Sequence, residues 1–185
     1  MAAAASSDLI YARPDDCAGD GLTWREHVAS YNATPHVNPF GLSRAYELYL
    51  NETYRELVRT FGLDNTMILS AGWGLIPAGF LTPRYDITFS ATAEPYARRR
   101  KKDVYRDFSM LPVEIRGPIV FFGGREYVPL FLALTAGLDH KVIFFNSAVP
   151  PTAPDSVLKR FNTCTRTNWH YECAQAFATG AVDIS

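Results

Sequence analysis

Three stretches of the chain, 66–70, 118–122 and 141–146, are apolar almost without a break and rich in β-branched or aromatic residues. Gly, Asp or Pro bounds each of them. A run with no alternating polar face marks a strand covered on both sides. "LIYAR" at 9–13 and "DITFS" at 86–90 are weaker strand candidates. Between these runs the apolar positions recur with a helical period. Thr23-Trp24-Arg25-Glu26 offers a capping box ahead of a short helix. The span 42–61 carries Tyr46, Leu50, Tyr54, Leu57 and Phe61 at helical spacing and stops at Gly62, as a C-cap does. A third helix is expected over 126–136, with Pro129 in its first turn, and a last one from near Thr167 to Gly180.

Helices alternating with covered strands imply an α/β protein, a three-layer fold with a mainly parallel central sheet flanked by helices. Residues 9–185 are expected to form one such domain after a disordered segment, 1–8. In folds of this class ligands bind beyond the carboxyl ends of the strands. That rule gathers "SAGWG" (70–74), "GGREY" (123–127) and "NS" (146–147) at one rim.

Composition narrows the picture. The net charge is −1, so no overall positive field draws the chain to nucleic acid. A local one does exist: between Arg84 and Asp107 seven basic residues face four acids, with "RRRKK" at 98–102. Three scattered cysteines with no CxxC pair argue against a disulfide framework and a structural zinc, and fit a reducing cytoplasm. Four histidines far apart in sequence leave a metal site without support, and no cofactor fingerprint is present. No apolar stretch approaches the about 20 residues that cross a bilayer.

The chemistry-bearing residues lie in the loops. Gly72 and Gly74 let the backbone approach a flat ligand while Trp73 stacks on it, or else Trp73 plugs the core above the sheet. Gly123 and Gly124, between a strand end and a helix start, present amides to an anion, with Arg125 as a charged fork, or simply form a tight turn. In "TRTNWHYECA" (165–174), Asn168 and Glu172 share a helix face, and Asn168 and His170 stand ready to hydrogen-bond a base edge or leaving group. Asp86, between Tyr85 and Ile87, is the acid whose ionisation burial can tune. The run Arg98, Arg99, Arg100, Lys101, Lys102 either grips a phosphodiester backbone or is a solvated face paired with Asp103 and Asp107.

"ILSAGWGLI" followed by "YDITFS" resembles the loop signature of the small YaaA-like α/β domains, S-[AG]-x-x-G-[LI] and then a Tyr-containing motif. The segment "AYELYLNETYRELV" is similar as well, so the likeness spans about residues 40–147. "YARPDDCAGD" departs from the Pro-Cys motif that many relatives carry on their first strand. YaaA-like proteins are associated with DNA binding, and the wider set resembles the uracil-DNA-glycosylase superfamily and base-excising enzymes of anti-phage defence.

The resemblance implies a DNA glycosylase that flips a modified base and hydrolyses its N-glycosidic bond without metal or cofactor. Asp86 is then the essential carboxylate, with Glu172, His170 and Asn168 as further catalytic candidates. Ser70, Gly72, Trp73, Gly74, Tyr85, Gly123, Gly124, Arg125, Asn146 and Trp169 would line the substrate site, and residues 98–102 with Arg166 would hold the DNA backbone. The alternatives are a non-catalytic DNA-binding module and a hydrolase or deoxyribosyltransferase acting on free nucleosides.

Overall fold

The structure is a computed structural model that describes residues 13–18, 20–34, 38, 41–100 and 102–184. The expected N-terminal disorder, nearly all of the strand at 9–13, and Lys101 lie outside the described residues.

Helix α1 (Trp24–Ala33) starts where its capping box places it. The Thr23 hydroxyl accepts from Glu26 N at 3.2 Å, and the Glu26 carboxylate takes the Thr23 N–H at 2.8 Å. The expected helix over 42–61 is broken in two. It opens as strand β1 (Ser43–Arg44) and a 3-10 turn (Ala45–Glu47), and only α2 (Thr53–Phe61) is α-helical, ending at Gly62 with φ 83°. The amides of Ala45 and Tyr46 bond across the chain to Phe80 O and Ala78 O at 2.8 and 3.1 Å. Those bonds replace local helical ones, and Leu50, placed on the core face by its spacing, is exposed instead.

The strand run at 66–70 becomes β2 (Met67–Ser70), and the chain reverses at once into β3 (Gly74–Pro77), antiparallel to it, with Ser70 opposite Gly74. Strand β4 (Leu81–Thr82) pairs with β1, and β5 (Phe108–Ser109) lies parallel to β3. The other two runs are β6 (Ile119–Phe121) and β7 (Lys141–Phe145); with β8 (Ser156–Arg160) they form a parallel sheet in the order β6-β7-β8. A 3-10 turn (Arg125–Tyr127) leads into α3 (Val128–Leu134), and α4 (Trp169–Ala178) closes the described chain. Helices, strands and a parallel sheet are all present, but the described strands form three small sheets. The cause is local: "SAGWG" is a hairpin turn, so β2 is followed by an antiparallel partner. The expected strand at 86–90 contributes only one bridge, Thr88 to Arg98.

The main core surrounds Trp73, which is fully buried. Its ring stacks on Phe108 at 6.5 Å and meets Tyr85 edge-on at 6.0 Å, and the Arg25 guanidinium of α1 lies 5.9 Å from its centre. A second cluster packs Phe121, Val128, Phe131 and Ile143, and a third gathers Val142, Phe144, Trp169 and Cys173. Tyr127 packs against both the first and the second.

Gly74 makes the reversal possible. Its φ is 92°, and a Cβ there would stand 2.4 Å from the Phe108 carbonyl oxygen. Gly79 differs: a Cβ there would meet only Leu63 side-chain atoms, at 3.6 Å or more. Gly74→Ala is therefore expected to lower stability by about 2 kcal/mol or more, through left-handed strain plus overpacking. Gly79→Ala should be neutral, or stabilising by up to about 1 kcal/mol. Urea denaturation of the two variants checks the contrast.

Candidate functional site

The hairpin turn is hydrogen-bonded from within. Ser70 Oγ accepts from Gly72 N at 3.1 Å and Trp73 N at 3.0 Å, and the Tyr85 hydroxyl donates to it at 2.6 Å. The Tyr49 and Tyr85 hydroxyls lie 2.8 Å apart. Tyr49 stacks on Tyr54 at 4.3 Å, and Tyr54 meets Tyr171 of α4 edge-on at 5.8 Å. Tyr127 meets Phe89 edge-on at 4.9 Å, with Thr88 beside its hydroxyl. Five phenols, from the segment before α2, α2 itself, the segment after β4, the β6–α3 turn and α4, thus gather near one turn.

Burial keeps Tyr49, Tyr54, Tyr85 and Tyr127 neutral. Burial pushes the Tyr85 phenol up to about 12, the hydrogen bonds with Ser70 and Tyr49 only partly opposing it. Tyr49 and Tyr54 stand well above the ordinary phenol value, through burial first and then through the neighbouring phenols. Tyr127 is raised by burial, with Thr88 opposing. His170, 4.2 Å from the Tyr171 ring, is driven down to about 4 by burial, so its imidazole is uncharged at neutral pH. The cluster offers hydrogen-bond donors and acceptors without charge.

Beside it runs a strap, residues 84–107, pinned by one buried pair. Arg99 Nη1 donates to Ala71 O at 2.9 Å and to Asp107 Oδ1 at 2.7 Å, and Nη2 donates to Asp107 Oδ2 at 2.6 Å. Its guanidinium lies 4.2 Å from the Tyr105 ring centre and 5.4 Å from that of Phe89. Around Arg99 the backbone is extended: Thr88 N donates to Ala97 O and Arg99 N to Thr88 O, both at 2.9 Å. Period-two alternation follows, with Ala97 and Arg99 buried and Arg98 and Arg100 exposed. Lys102, Arg84 and Arg106 are exposed as well. Arg106 and the buried Arg25 both bond Asp15 Oδ1, at 3.1 and 2.9 Å.

The structure reassigns several expected site residues. Trp73 offers no face to a ligand, and Trp169 is buried in the third cluster. The Gly72 amide is taken by Ser70, so it is not free for an anion. Gly123 is glycine for packing, since a Cβ would stand 2.4 Å from the Phe121 ring; Arg125 beyond it is exposed. Arg99 is a buried pin and not a backbone contact. Asn168 precedes α4 in the left-handed region with φ 65°, so it does not share a helix face with Glu172.

Glu172 itself is exposed and accepts from Thr163 at 2.7 Å and from Thr165. The Thr165 hydrogen bond, followed by that of Thr163, holds its carboxyl below the usual range. Asn146 Nδ2 donates to Thr165 O at 3.2 Å. Both residues therefore fasten the loop before α4, and Arg166 in that loop is exposed. Asp86 is half-buried between Tyr85 and Thr88, and its carboxylate joins no hydrogen bond or ion pair among the described residues. Sequence reasoning missed Tyr49, Tyr54, Tyr127 and Tyr171; the only advance signal was the tyrosine-rich composition.

Among the described residues no group of three or more His, Cys, Asp or Glu side chains is placed to hold a metal ion, and no helix is long and apolar enough to cross a membrane. A groove of about 640 Å³, whose lining includes Arg116, His140 and Val157, lies at the amino ends of the parallel strands.

Two outcomes follow. Arg99→Met leaves Asp107 buried without its partner and should cost about 3–5 kcal/mol in urea denaturation; Arg99→Met with Asp107→Leu should recover part of it. For His170 the folded value, about 4, lies below the ordinary 6.5. Below pH 6.5 the unfolded chain takes up the proton first, so stability is intact above that pH and falls as pH drops toward 4. His170→Gln should flatten the denaturation midpoint across that window.

Compared with known proteins, the chain matches no family model, no curated protein and no solved structure.

Proposed function

We propose that the chain is a nucleic-acid-directed enzyme of the DNA glycosylase type, hydrolysing the N-glycosidic bond of a modified base, a chemistry suited to phage defence. One observation carries this reading: a cluster of uncharged phenols adjoins a strap on which Arg98, Arg100, Lys102 and Arg106 are exposed. An enzyme that acts on a base within a polymer needs both parts. It must take the base out of the stack and read its edges with neutral donors and acceptors, and it must hold the flanking phosphates. The likeness of "SAGWGLI" and "YDITFS" to YaaA-like and uracil-DNA-glycosylase-like domains supports the same class.

Asp86 supplies the chemistry in this scheme. It lies on the segment joining Tyr85 of the cluster to Thr88, which bridges the strap. Cleavage of an N-glycosidic bond passes through an oxocarbenium-like sugar, and a carboxylate near the anomeric carbon stabilises that charge or orients the attacking water. The departing base carries the negative charge, and a neutral phenol or the His170 imidazole donates a hydrogen bond to it. Ser70 holds the turn and Tyr85 in place and is a positioning residue.

The test is release of free base, followed by mass spectrometry, from unmodified and phage-type modified DNA. Asp86→Asn should lower the rate by a factor of about 100 or more, in line with loss of a transition-state electrostatic group, while DNA affinity changes little. Unchanged turnover removes Asp86 from the role. Salt-sensitive binding with no released base from any substrate selects the non-catalytic DNA-binding reading, and turnover confined to free nucleosides, insensitive to salt, selects the nucleoside enzyme.

A further inference from the structure

We infer that the outer edge of β8 is an interface between two copies of this chain, paired antiparallel across a two-fold axis at Leu158. The inference is independent of the base-excision reading above.

The edge is open. The parallel sheet runs β6-β7-β8, so β8 has a strand neighbour on one side only. Phe161 N donates to Phe145 O at 2.7 Å, and along a parallel ladder that sense recurs at every second residue. Val157 and Lys159 therefore turn their backbone groups toward β7, while Ser156, Leu158 and Arg160 turn theirs outward. Those outward amides and carbonyls have no hydrogen-bond partner among the described residues. A row of such groups is a template for another extended strand. No proline or bulge interrupts β8, and Lys159, a residue type that often blunts an edge, is turned onto the sheet face toward Asp183 at 3.9 Å.

The side chains select the occupant. Asp155 precedes the strand and Arg160 ends it; both are exposed, and neither has an ion-pair partner among the described residues. A second copy running antiparallel reverses that order, so Arg160 lies beside the partner's Asp155 at both ends of the pairing. Unlike charges meet twice, by symmetry.

The register follows from the strand's length. Asp155, with φ 55°, breaks the extended backbone just ahead of Ser156, so only residues 156–160 are in line to pair. With Leu158 opposite the partner's Leu158, Ser156 faces the partner's Arg160, and every outward group is used in about six hydrogen bonds, two per opposed pair. A slide in either direction leaves part of this short strand unpaired. Leu158 itself stays packed in the second cluster. Val157, 53% exposed on the other face and lining the groove with Val142 and Ile184, lies one residue from the axis, where the incoming strand covers it. The two three-stranded sheets then form one continuous sheet.

The test is sedimentation velocity of the full chain from about 1 to about 100 μM, where a monomer should give way to a dimer. Amide exchange followed by NMR supplies the location: the Ser156, Leu158 and Arg160 amides should exchange slowly at the upper concentration and quickly at the lower. Arg160→Glu sets two acids together at each end, and Asp155→Lys sets two bases together. Each variant alone should dimerise at least about tenfold more weakly than the parent chain. An equimolar mixture of the two should recover the dimer, because each end then joins unlike charges. Both positions are exposed, and circular dichroism of each variant verifies the fold.

A monomer at every concentration overturns the inference and leaves the edge to an extended segment of another protein. A dimer whose three amides exchange as they do in the monomer, a variant that dimerises by itself as tightly as the parent chain, or a mixture that stays monomeric overturns it as well.

Discussion

The Arg99–Asp107 pair is the constraint from which the rest of the site follows. A buried ion pair stabilises a fold only when its geometry is good and its spare hydrogen-bonding groups are used. Here the guanidinium forks onto both carboxylate oxygens, gives one further bond to the Ala71 carbonyl, and rests near the Tyr105 and Phe89 rings, while its buried Nε has no hydrogen-bond partner among the described residues. It joins three things at once: the hairpin turn, the strap, and the start of β5 next to Asp107. The Asp107 side chain is itself almost wholly buried, so neither partner can leave without stranding the other's charge.

Trp73, two residues beyond the Ala71 carbonyl that Arg99 binds, is held from several sides. Phe108 stacks on it, Tyr85 abuts it, and Arg25 brings α1 against it while reaching out to Asp15. The largest side chain in the turn thus serves as the post around which the first core is built. Its two flanking glycines have separate tasks. Gly72 lies against Ile87 and Tyr85, and Gly74 takes the left-handed backbone that returns the chain beside β5.

The tyrosine cluster follows from the same arrangement. Once the turn is fixed, Ser70 faces Tyr85, and Tyr85 faces Tyr49. Burial and mutual repulsion of their ionised forms keep the phenols protonated. A charged acid among them would have been costly to desolvate, whereas hydroxyls satisfy one another and remain able to meet a neutral ligand edge. Asp86 is placed next to this surface and not inside it.

Local physics was legible in the sequence wherever a few neighbouring residues decide the outcome. The Thr23–Glu26 capping box, the stop of α2 at Gly62, Pro129 in the first turn of α3 and the three apolar strands all appear where their residues place them. The sequence also marked 70–74, 85–88 and 98–102 as unusual. It did not say which way their side chains face. Trp73 turned inward, Arg99 became a pin while Arg98 and Arg100 stayed outside, and 43–47 traded helical bonds for contacts with Ala78 and Phe80. The inward turn of Arg99, which bonds Ala71 O, and the meeting of Tyr85 with Tyr49 and Ser70 depend on partners 15 or more residues away. Hydrophobic periodicity carries no information about such pairings, so only the tertiary structure decided them.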